Sequence, residues 1–312
     1  MEKIRFRGLE RETVPLGVGT WQWGDRTFWQ YGKRFQREDV IGAFDASVRA
    51  GITLFDTAEI YGKGESERIL GECVRKTDGK ALVASKYMPF PNRIGRRAVR
   101  RAASASLERL GLRRIDLYQV HMPFPFPRRA VLMDELAELV RNGSVAAIGV
   151  SNYGAAGMLR ARDLLARKAV PLAANQVNYS LLRRKPERDG TLKACRDSGI
   201  VLIAYSPLAQ GLLSGKYHDG EKVEDFRRYR RPFFGSQIGR SLQVVRTLRE
   251  IAAGHGATPG QVAIRWLIQK GNVVPIPGAK NRSQAEENAG ALKFSLTSVE
   301  MEQLDQVSRP WL

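Results

Sequence analysis

Histidine and cysteine are scarce in this chain, and their scarcity removes whole classes of chemistry. Three histidines and two cysteines occur in 312 residues. None of the histidines has the spacing of a zinc-ligand pair, so no metal is expected, and Cys73 and Cys195 lie too far apart for a CxxC site. Nor do two cysteines make a disulfide framework; both are expected to be reduced core thiols in a cytoplasmic protein. No run of about 18 apolar residues is present. The opening stretch MEKIRFRGLER is charged with no apolar segment behind it, so nothing directs the chain to or through a membrane. A GxGxxG after the first strand-like run is missing, which argues against a Rossmann sheet. GLLSGKY at 211–217 has one residue too few between its glycines for a phosphate loop, and Tyr217 stands where Ser or Thr is needed.

Acidic residues are also in deficit. The chain has 51 Lys and Arg against 32 Asp and Glu, a formal charge of +19, and 37 of the cations are Arg. Clusters at Arg96, Arg97, Arg100 and Arg101, at Arg113 and Arg114, and at Arg227, Arg228, Arg230 and Arg231 raise the question of nucleic acid. They are scattered and no nucleic-acid module accompanies them, so solvated helix faces are the favoured reading. A basic surface would still attract a phosphorylated or acidic small molecule.

Alternation is what the sequence has in plenty. Eight short apolar, often β-branched runs occur at 14–19, 52–57, 81–86, 115–120, 146–151, 172–177, 201–206 and 273–278. Between them lie helix-like segments such as EDVIGAFDASVRAG, ESERILGECVRK and VLMDELAELVRNG, several of which stop at a Gly. Eight alternations predict one (β/α)8 barrel domain over residues 1–312. In that fold the active site gathers at the C-terminal ends of the strands. Polar residues do fall at the ends of these runs: Asp56, Lys86, His121, Ser151 with Asn152, Gln176, Tyr205 with Ser206, and Gly278 after the last. The longest insertion, 207–237, follows the seventh run and reads as a lid, and the tail from Leu296 onward is expected to close as a surface helix.

The stretch FDTAEIYGKGESE, 55–67, is where chemistry concentrates. A phenol has a pKa of about 10, so a Tyr that gives up a proton near neutrality needs a cation beside it. Tyr61 follows the strand that ends on Asp56, and Lys86 at the end of ALVASK could be that cation, with His121 as a second polar group. Taken singly, a buried Asp–Lys pair, a surface Tyr and a core His are the plainer readings; together they are better explained by catalysis. The set DTAxxYG, strand-end Lys and strand-end His resembles the tetrad of the aldo-keto reductases, in that family's order and along nearly the whole chain.

The resemblance implies a carbonyl reductase that uses NADPH, with NADH less favoured, and neither metal nor flavin. Tyr61 would be the general acid, Lys86 would lower its pKa, Asp56 would orient Lys86, and His121 would hydrogen-bond the carbonyl. Ser151, Asn152 and Gln176 would hold the nicotinamide carboxamide and Tyr205 would stack on the ring, with Gly19, Thr20, Trp21 and Asp56 alongside. Ser206, Pro207, Leu208 and the segment from Gly211 through Gly215 to Lys216 would border the pyrophosphate. In IPGAKNRSQAEENAG, Gly278, Lys280 and Arg282 would meet the 2′-phosphate end, with Gln284, Glu287 and Asn288 nearer adenine and ribose; the weight of Lys280 against Arg282 is open. Trp21, Trp23, Trp29, Met88 and Phe124 would wall an apolar pocket for an aldehyde or ketone whose identity no residue selects. A nicotinamide-binding regulatory subunit, similar to the potassium-channel β subunits of the same family, is the alternative, and a polyanion binder ranks behind it.

Overall fold

The apolar runs become strands that pair side by side in parallel. An N-terminal hairpin, β1 (Ile4–Arg5) and β2 (Glu12–Thr13), precedes them. The parallel strands are β3 (Gly17–Gly19), β4 (Leu54–Asp56), β5 (Leu82–Tyr87), β6 (Ile115–Val120), β7 (Val145–Ser151), β8 (Leu172–Asn178), β9 (Val201–Tyr205) and β10 (Val273–Ile276), ordered sequentially in one eight-stranded sheet. The sheet closes where Gly19 N donates to Pro277 O at 3.0 Å and Gly19 bridges Gly278. Glycine is required there, because a Cβ on Gly19 would lie 2.9 Å from Ile276 O. The result is the expected (β/α)8 barrel. The computed structural model describes residues 2–77, 79–93, 97–123, 129–216 and 238–312. Residues 217–237 of the expected lid, and Phe124, therefore lie outside the described residues.

Helices fill the connections: α1 (Arg37–Arg49), α2 (Glu65–Arg75), α3 (Ala98–Leu110), α4 (Arg129–Arg141), α5 (Ala155–Ala166), the short α6 (Lys185–Arg188) and α7 (Thr191–Asp197), α8 (Ile238–His255), α9 (Pro259–Gln269), α10 (Arg282–Gly290) and α11 (Ser298–Val307). Their ends obey local chemistry. Thr258 caps α9 by accepting from Gln261 N, with Pro259 at the first turn where its missing N–H is harmless. Thr297 and Glu300 make the same reciprocal cap for α11, the tail helix, and α3 stops at Gly111 in a left-handed conformation.

Two apolar layers hold the barrel. Inside it, Leu54, Leu82, Leu117, Val201, Ile203 and Val274 interlock, and Phe6 and Leu9 join that cluster. Phe6 and Leu9 sit between β1 and β2, so the hairpin plugs the end of the barrel at which the strands begin. Outside it, a larger layer packs the strands against the helices. With the lower barrel filled by apolar side chains, the polar strand ends are left at the opposite mouth. Among the described residues, no helix is long and apolar enough to cross a membrane.

Candidate active site

Neighbouring strands bring the polar ends together. Register pairs Asp56 with Ala84 and Lys86 with Gln119, which sets β4, β5 and β6 side by side at the mouth. Lys86 is fully buried and Asp56 is 2% exposed. A charge so removed from water persists only if it is paired and its remaining protons are bonded. Lys86 Nζ forms an ion pair with Asp56 Oδ1, donates to Thr57 O at 2.8 Å and donates to Tyr61 Oη at 3.4 Å. The other oxygen of Asp56 accepts from Gln119 Nε2 at 3.0 Å and from Gln176 Nε2 at 2.8 Å. Each carboxylate oxygen thus has its own task, and the lysine is fixed from both sides.

Tyr61 opens a single 3-10 turn, Tyr61–Gly64, in which Gly62, Lys63 and Gly64 all have left-handed backbone, with φ of 55°, 57° and 88°. Its ring lies 4.9 Å from Lys86 Nζ and edge-on to the His121 ring, with centroids 5.7 Å apart. Burial raises the Tyr61 pKa, and the nearby Lys86 charge offsets this only in part. Lys86 thus acts on the phenol in the expected direction, while desolvation, together with the nearby Asp56 charge, leaves the net shift upward. Burial alone would lower the Lys86 pKa, but Asp56 and Tyr61 reverse the sign and hold it protonated. Burial, helped by the charge of Lys86, pushes His121 down to about 3, so its imidazole is neutral at ordinary pH. Among the described residues its Nδ1 is buried without a partner.

The remaining strand ends form an arc beside this centre. Asn152 has left-handed backbone with φ of 62°; its Nδ2 donates to His121 O at 3.0 Å and to Ser151 Oγ at 3.1 Å, and its Oδ1 accepts from Tyr205 Oη at 2.9 Å. Ser151 Oγ donates to Gln176 O at 3.0 Å. After Tyr205 the chain runs through Pro207 and Leu208 with left-handed backbone at Ser206, Ala209, Gln210 and Gly211. Gly215 O then accepts from the Arg249 guanidinium at 2.6 Å, and Lys216 is exposed.

Gly278 to Asn288 forms the next sector. Lys280 Nζ lies 5.7 Å from the Trp29 ring centre and 5.5 Å from that of Phe35, and Arg282 is exposed at the start of α10. Gln284 Oε1 accepts from Lys280 N at 2.9 Å, Glu287 Oε1 from Thr258 Oγ1 at 3.0 Å, and Asn288 Nδ2 donates to Gly278 O at 3.3 Å. Gln284 and Asn288 hold the turn in shape, and Glu287 ties α10 to the cap of α9. Thr20 is likewise engaged, since its Oγ1 donates to Asp56 O at 3.0 Å and lies 2.8 Å from Ser66 Oγ.

Of the expected pocket wall, Trp21 and Trp29 stand at the mouth, edge to face with centroids 5.4 Å apart, and Trp21 is 6.5 Å from Tyr61. Trp23 is fully buried instead, and its indole N–H donates to Ala279 O at 2.9 Å, tying the loop after β3 to the end of β10. Met88 N donates to Glu59 Oε1 at 2.6 Å.

The model of the aldo/keto reductase family matches residues 15–309. The chain belongs to that family. It is 40% identical over 298 residues to an oxidoreductase of Mycobacterium bovis, covering 94% of this chain and 89% of the relative. It is 36% identical over 322 residues to a chloroplastic pyridoxal reductase of Arabidopsis thaliana, covering 99% and 86%. A crystal structure of an aldo-keto reductase from Klebsiella pneumoniae in complex with NADPH superposes with a TM-score of 0.78 at 29% identity, covering 98% of this chain and 95% of that one.

Two residues of this aldo/keto reductase escaped the reading of its sequence. Gln119 stands two positions before His121 on β6, and strand periodicity puts alternate residues on one face, so its inward aim could have been found. Room for it comes from Gly149 on β7, where a Cβ would lie 2.8 Å from Gln119 Cγ. Glu59 gave no such signal. Its Oε1 also accepts from Arg93 Nη1 at 2.6 Å, which bolts the loop of Tyr61 to the loop after Lys86. Among the described residues no group of three or more His, Cys, Asp or Glu could hold a metal, and Cys73 and Cys195 are buried free thiols whose pKa burial pushes up to about 12.

Proposed function

We propose that this oxidoreductase reduces aldehydes and ketones to alcohols with NADPH, and that Tyr61 donates the proton. The observation that carries the reading is the fully buried Lys86, joined to Asp56 on one side and 3.4 Å from Tyr61 Oη on the other, with a neutral imidazole against the same phenol. A buried ammonium beside a buried phenol stabilises phenolate more than phenol. Burial keeps the phenol protonated at rest, and Lys86 supports its anion at the moment it forms.

NADPH supplies the hydride that reaches the carbonyl carbon when it is bound. Tyr61 O–H hydrogen-bonds the carbonyl oxygen and transfers its proton as charge builds there. Lys86 holds the phenolate left behind, and Asp56, fixed by Gln119 and Gln176, keeps Lys86 pointed at it. His121, neutral at about pKa 3, orients the carbonyl through a ring N–H without competing for the proton.

The residues present suit a phosphorylated dinucleotide. Ser151, Asn152 and Gln176 supply amide and hydroxyl groups for a carboxamide, and Tyr205, bonded through its hydroxyl to Asn152 Oδ1, offers an aromatic ring beside them. The left-handed backbone at Ser206, Ala209, Gln210 and Gly211 is suited to cradle a pyrophosphate. Lys280 and Arg282 bring cations to the start of α10, whose partial positive end also favours a 2′-phosphate. The NADPH-bound relative supports the same choice, and the pyridoxal reductase relative makes pyridoxal an aldehyde to try early.

Tyr61→Phe is the test. Reduction of a generic aldehyde, followed at 340 nm, should fall by about 100-fold or more in kcat, while quenching of Trp fluorescence still reports NADPH binding. Activity close to wild type would rule out the proton-donor assignment.

A further inference from the structure

The loop after β3 carries more aromatic surface than its role in closing the barrel requires. It is wound around one carboxylate. Asp25 is 7% exposed, and its Oδ1 accepts from Thr27 N at 2.9 Å, Phe28 N at 2.7 Å and Trp29 N at 3.4 Å. Its main-chain oxygen accepts from Tyr31 N at 3.0 Å, which closes the turn. Three successive amide donors on one oxygen fix the backbone so that Phe28 and Trp29 leave it at the tip.

Both feet of the loop are buried. Trp23 is fastened to Ala279 O on one side, and Tyr31 packs on Phe35 with centroids 5.6 Å apart on the other. The loop is also pressed against the turn that carries Tyr61, because a Cβ on Gly62 would lie 2.7 Å from Gly24 O and one on Gly24 would lie 2.7 Å from Glu65 Cβ. The tip aromatics therefore stand in a set relation to Tyr61. Phe28, 44% exposed, tilts on Trp21 at 6.3 Å; Trp29 meets Trp21 edge-on; Trp21 meets Tyr61 at 6.5 Å.

We infer that Asp25 is a positioning residue for substrate choice: by folding the 25–31 turn it presents Phe28 and Trp29, with Trp21, as an angled aromatic cluster whose faces and edges select planar aromatic carbonyl compounds over aliphatic ones. The inference rests on the carbonyl-reducing reading for its chemistry, but the selection is a property of binding. A ring laid against this cluster gains offset or edge contacts with several π faces, whereas a short alkyl chain gains only apolar contact. One well-placed aromatic contact corresponds to about a tenfold difference in affinity. Asp25 touches none of the reacting groups, and it acts only through where Phe28 and Trp29 stand.

The experiment compares wild type, Asp25→Ala, Asp25→Asn and Phe28→Ala, with thermal melts to confirm that each is folded. Binding of benzyl alcohol and of 1-butanol, the products of the two substrate types, is measured by calorimetry in the presence of NADP. Reduction of benzaldehyde and butanal with NADPH follows. Wild type should favour the aromatic alcohol by about tenfold or more, and the preference should drop to about twofold in Asp25→Ala. Asp25→Asn, whose amide oxygen can accept the same three bonds, should restore it. Phe28→Ala, a change at an exposed side chain that cannot unfold the core, should lower it independently. In turnover the lost preference should fall on KM. A wild-type preference near unity, or one that survives Asp25→Ala and Phe28→Ala intact, overturns the inference even if both aldehydes are reduced. Selective, Asp25-dependent binding with neither aldehyde reduced upholds it and removes the reductase reading instead.

Discussion

At the scale of single residues, the candidate site separates groups by protonation. Tyr61 keeps its proton because it is buried, Lys86 keeps its own because Asp56 and Tyr61 outweigh its burial, and His121 is the neutral imidazole. The imidazole contributes no ionisation near its usual value of about 6.5, so the reduction rate should be level from about pH 5.5 to about 8.5. It should decline only on the alkaline side, where the raised pKa of Tyr61 is finally passed. A kcat profile with an acid limb near 6.5 that vanishes in His121→Asn would contradict this. Stability follows the same logic with a definite sign. Between about 3 and about 6.5 the unfolded chain binds a proton at His121 that the folded chain refuses, so folding weakens as pH falls through that window. The loss attributable to His121 between pH 7 and pH 5 is on the order of 1–2 kcal/mol. Urea unfolding at the two pH values should show a smaller loss in His121→Asn than in wild type.

At the scale of elements, the mouth is as exact as the packing behind it. Helix α2 carries Ser66, which accepts from Thr57 Oγ1 at 2.9 Å and donates to Thr20 O at 2.9 Å, and the buried Glu67, which accepts from Ser85 Oγ at 2.5 Å and Arg109 Nε at 2.6 Å. These bonds join the loops after β3 and β4 to strand β5. Helix α2 can sit that close to α3 because of Gly71, where a Cβ would fall 2.0 Å from Leu110 O. Gly71→Ala should therefore cost about 3 kcal/mol, since backbone rather than a flexible side chain must move, even though alanine is the better helix former. Chemical denaturation checks it; a stability gain of the kind Gly→Ala brings in an open helix would show that the two helices are free to separate. The alternation of strands and helices was legible because each period is written in a few consecutive residues. The β1–β2 hairpin was not, since two-residue strands carry no period at all.

At the scale of the whole molecule, the tail is tied to the barrel wall by a buried cation. Arg184 grips Glu187 through Nε at 2.7 Å and Nη2 at 2.6 Å, donates to Asp305 O at 2.8 Å and Ser308 Oγ at 3.0 Å, and its main-chain N–H donates to Trp311 O at 3.0 Å. The guanidinium also lies 5.4 Å from the Trp266 ring centre, so the exit of β8, helix α9 and helix α11 meet at one side chain. Removing it leaves Lys270, whose Nζ is 3.7 Å from Glu187 Oε2 and 2.7 Å from Asp305 Oδ1, as the one cation the two carboxylates share among the described residues. Arg184→Met should destabilise the protein by about 2–3 kcal/mol, because its bonds to Asp305 O and Ser308 Oγ are lost while Lys270 still compensates the carboxylates, and should speed amide exchange first in residues 298–307. Uniform exchange in the variant and wild type would separate the tail from this network.

The sequence alone determined the barrel, the order of its strands and the placing of Asp56, Lys86, His121, Ser151, Asn152, Gln176 and Tyr205 at strand ends. Those are consequences of local periodicity, and every strand end in a parallel barrel points to the same mouth. Only the tertiary structure decided that Gln119 shares Asp56 with Gln176, that Glu59 clasps Arg93, that Trp23 is core while Trp21 stands edge-on to Trp29 and 6.5 Å from Tyr61, and that Tyr61 is less acidic than usual despite its lysine. The physical reason is common to all four. Burial and hydrogen-bond partnership are sums over atoms brought together from distant segments, and the sign of a pKa shift depends on how much water those atoms exclude as well as on which charge stands nearby.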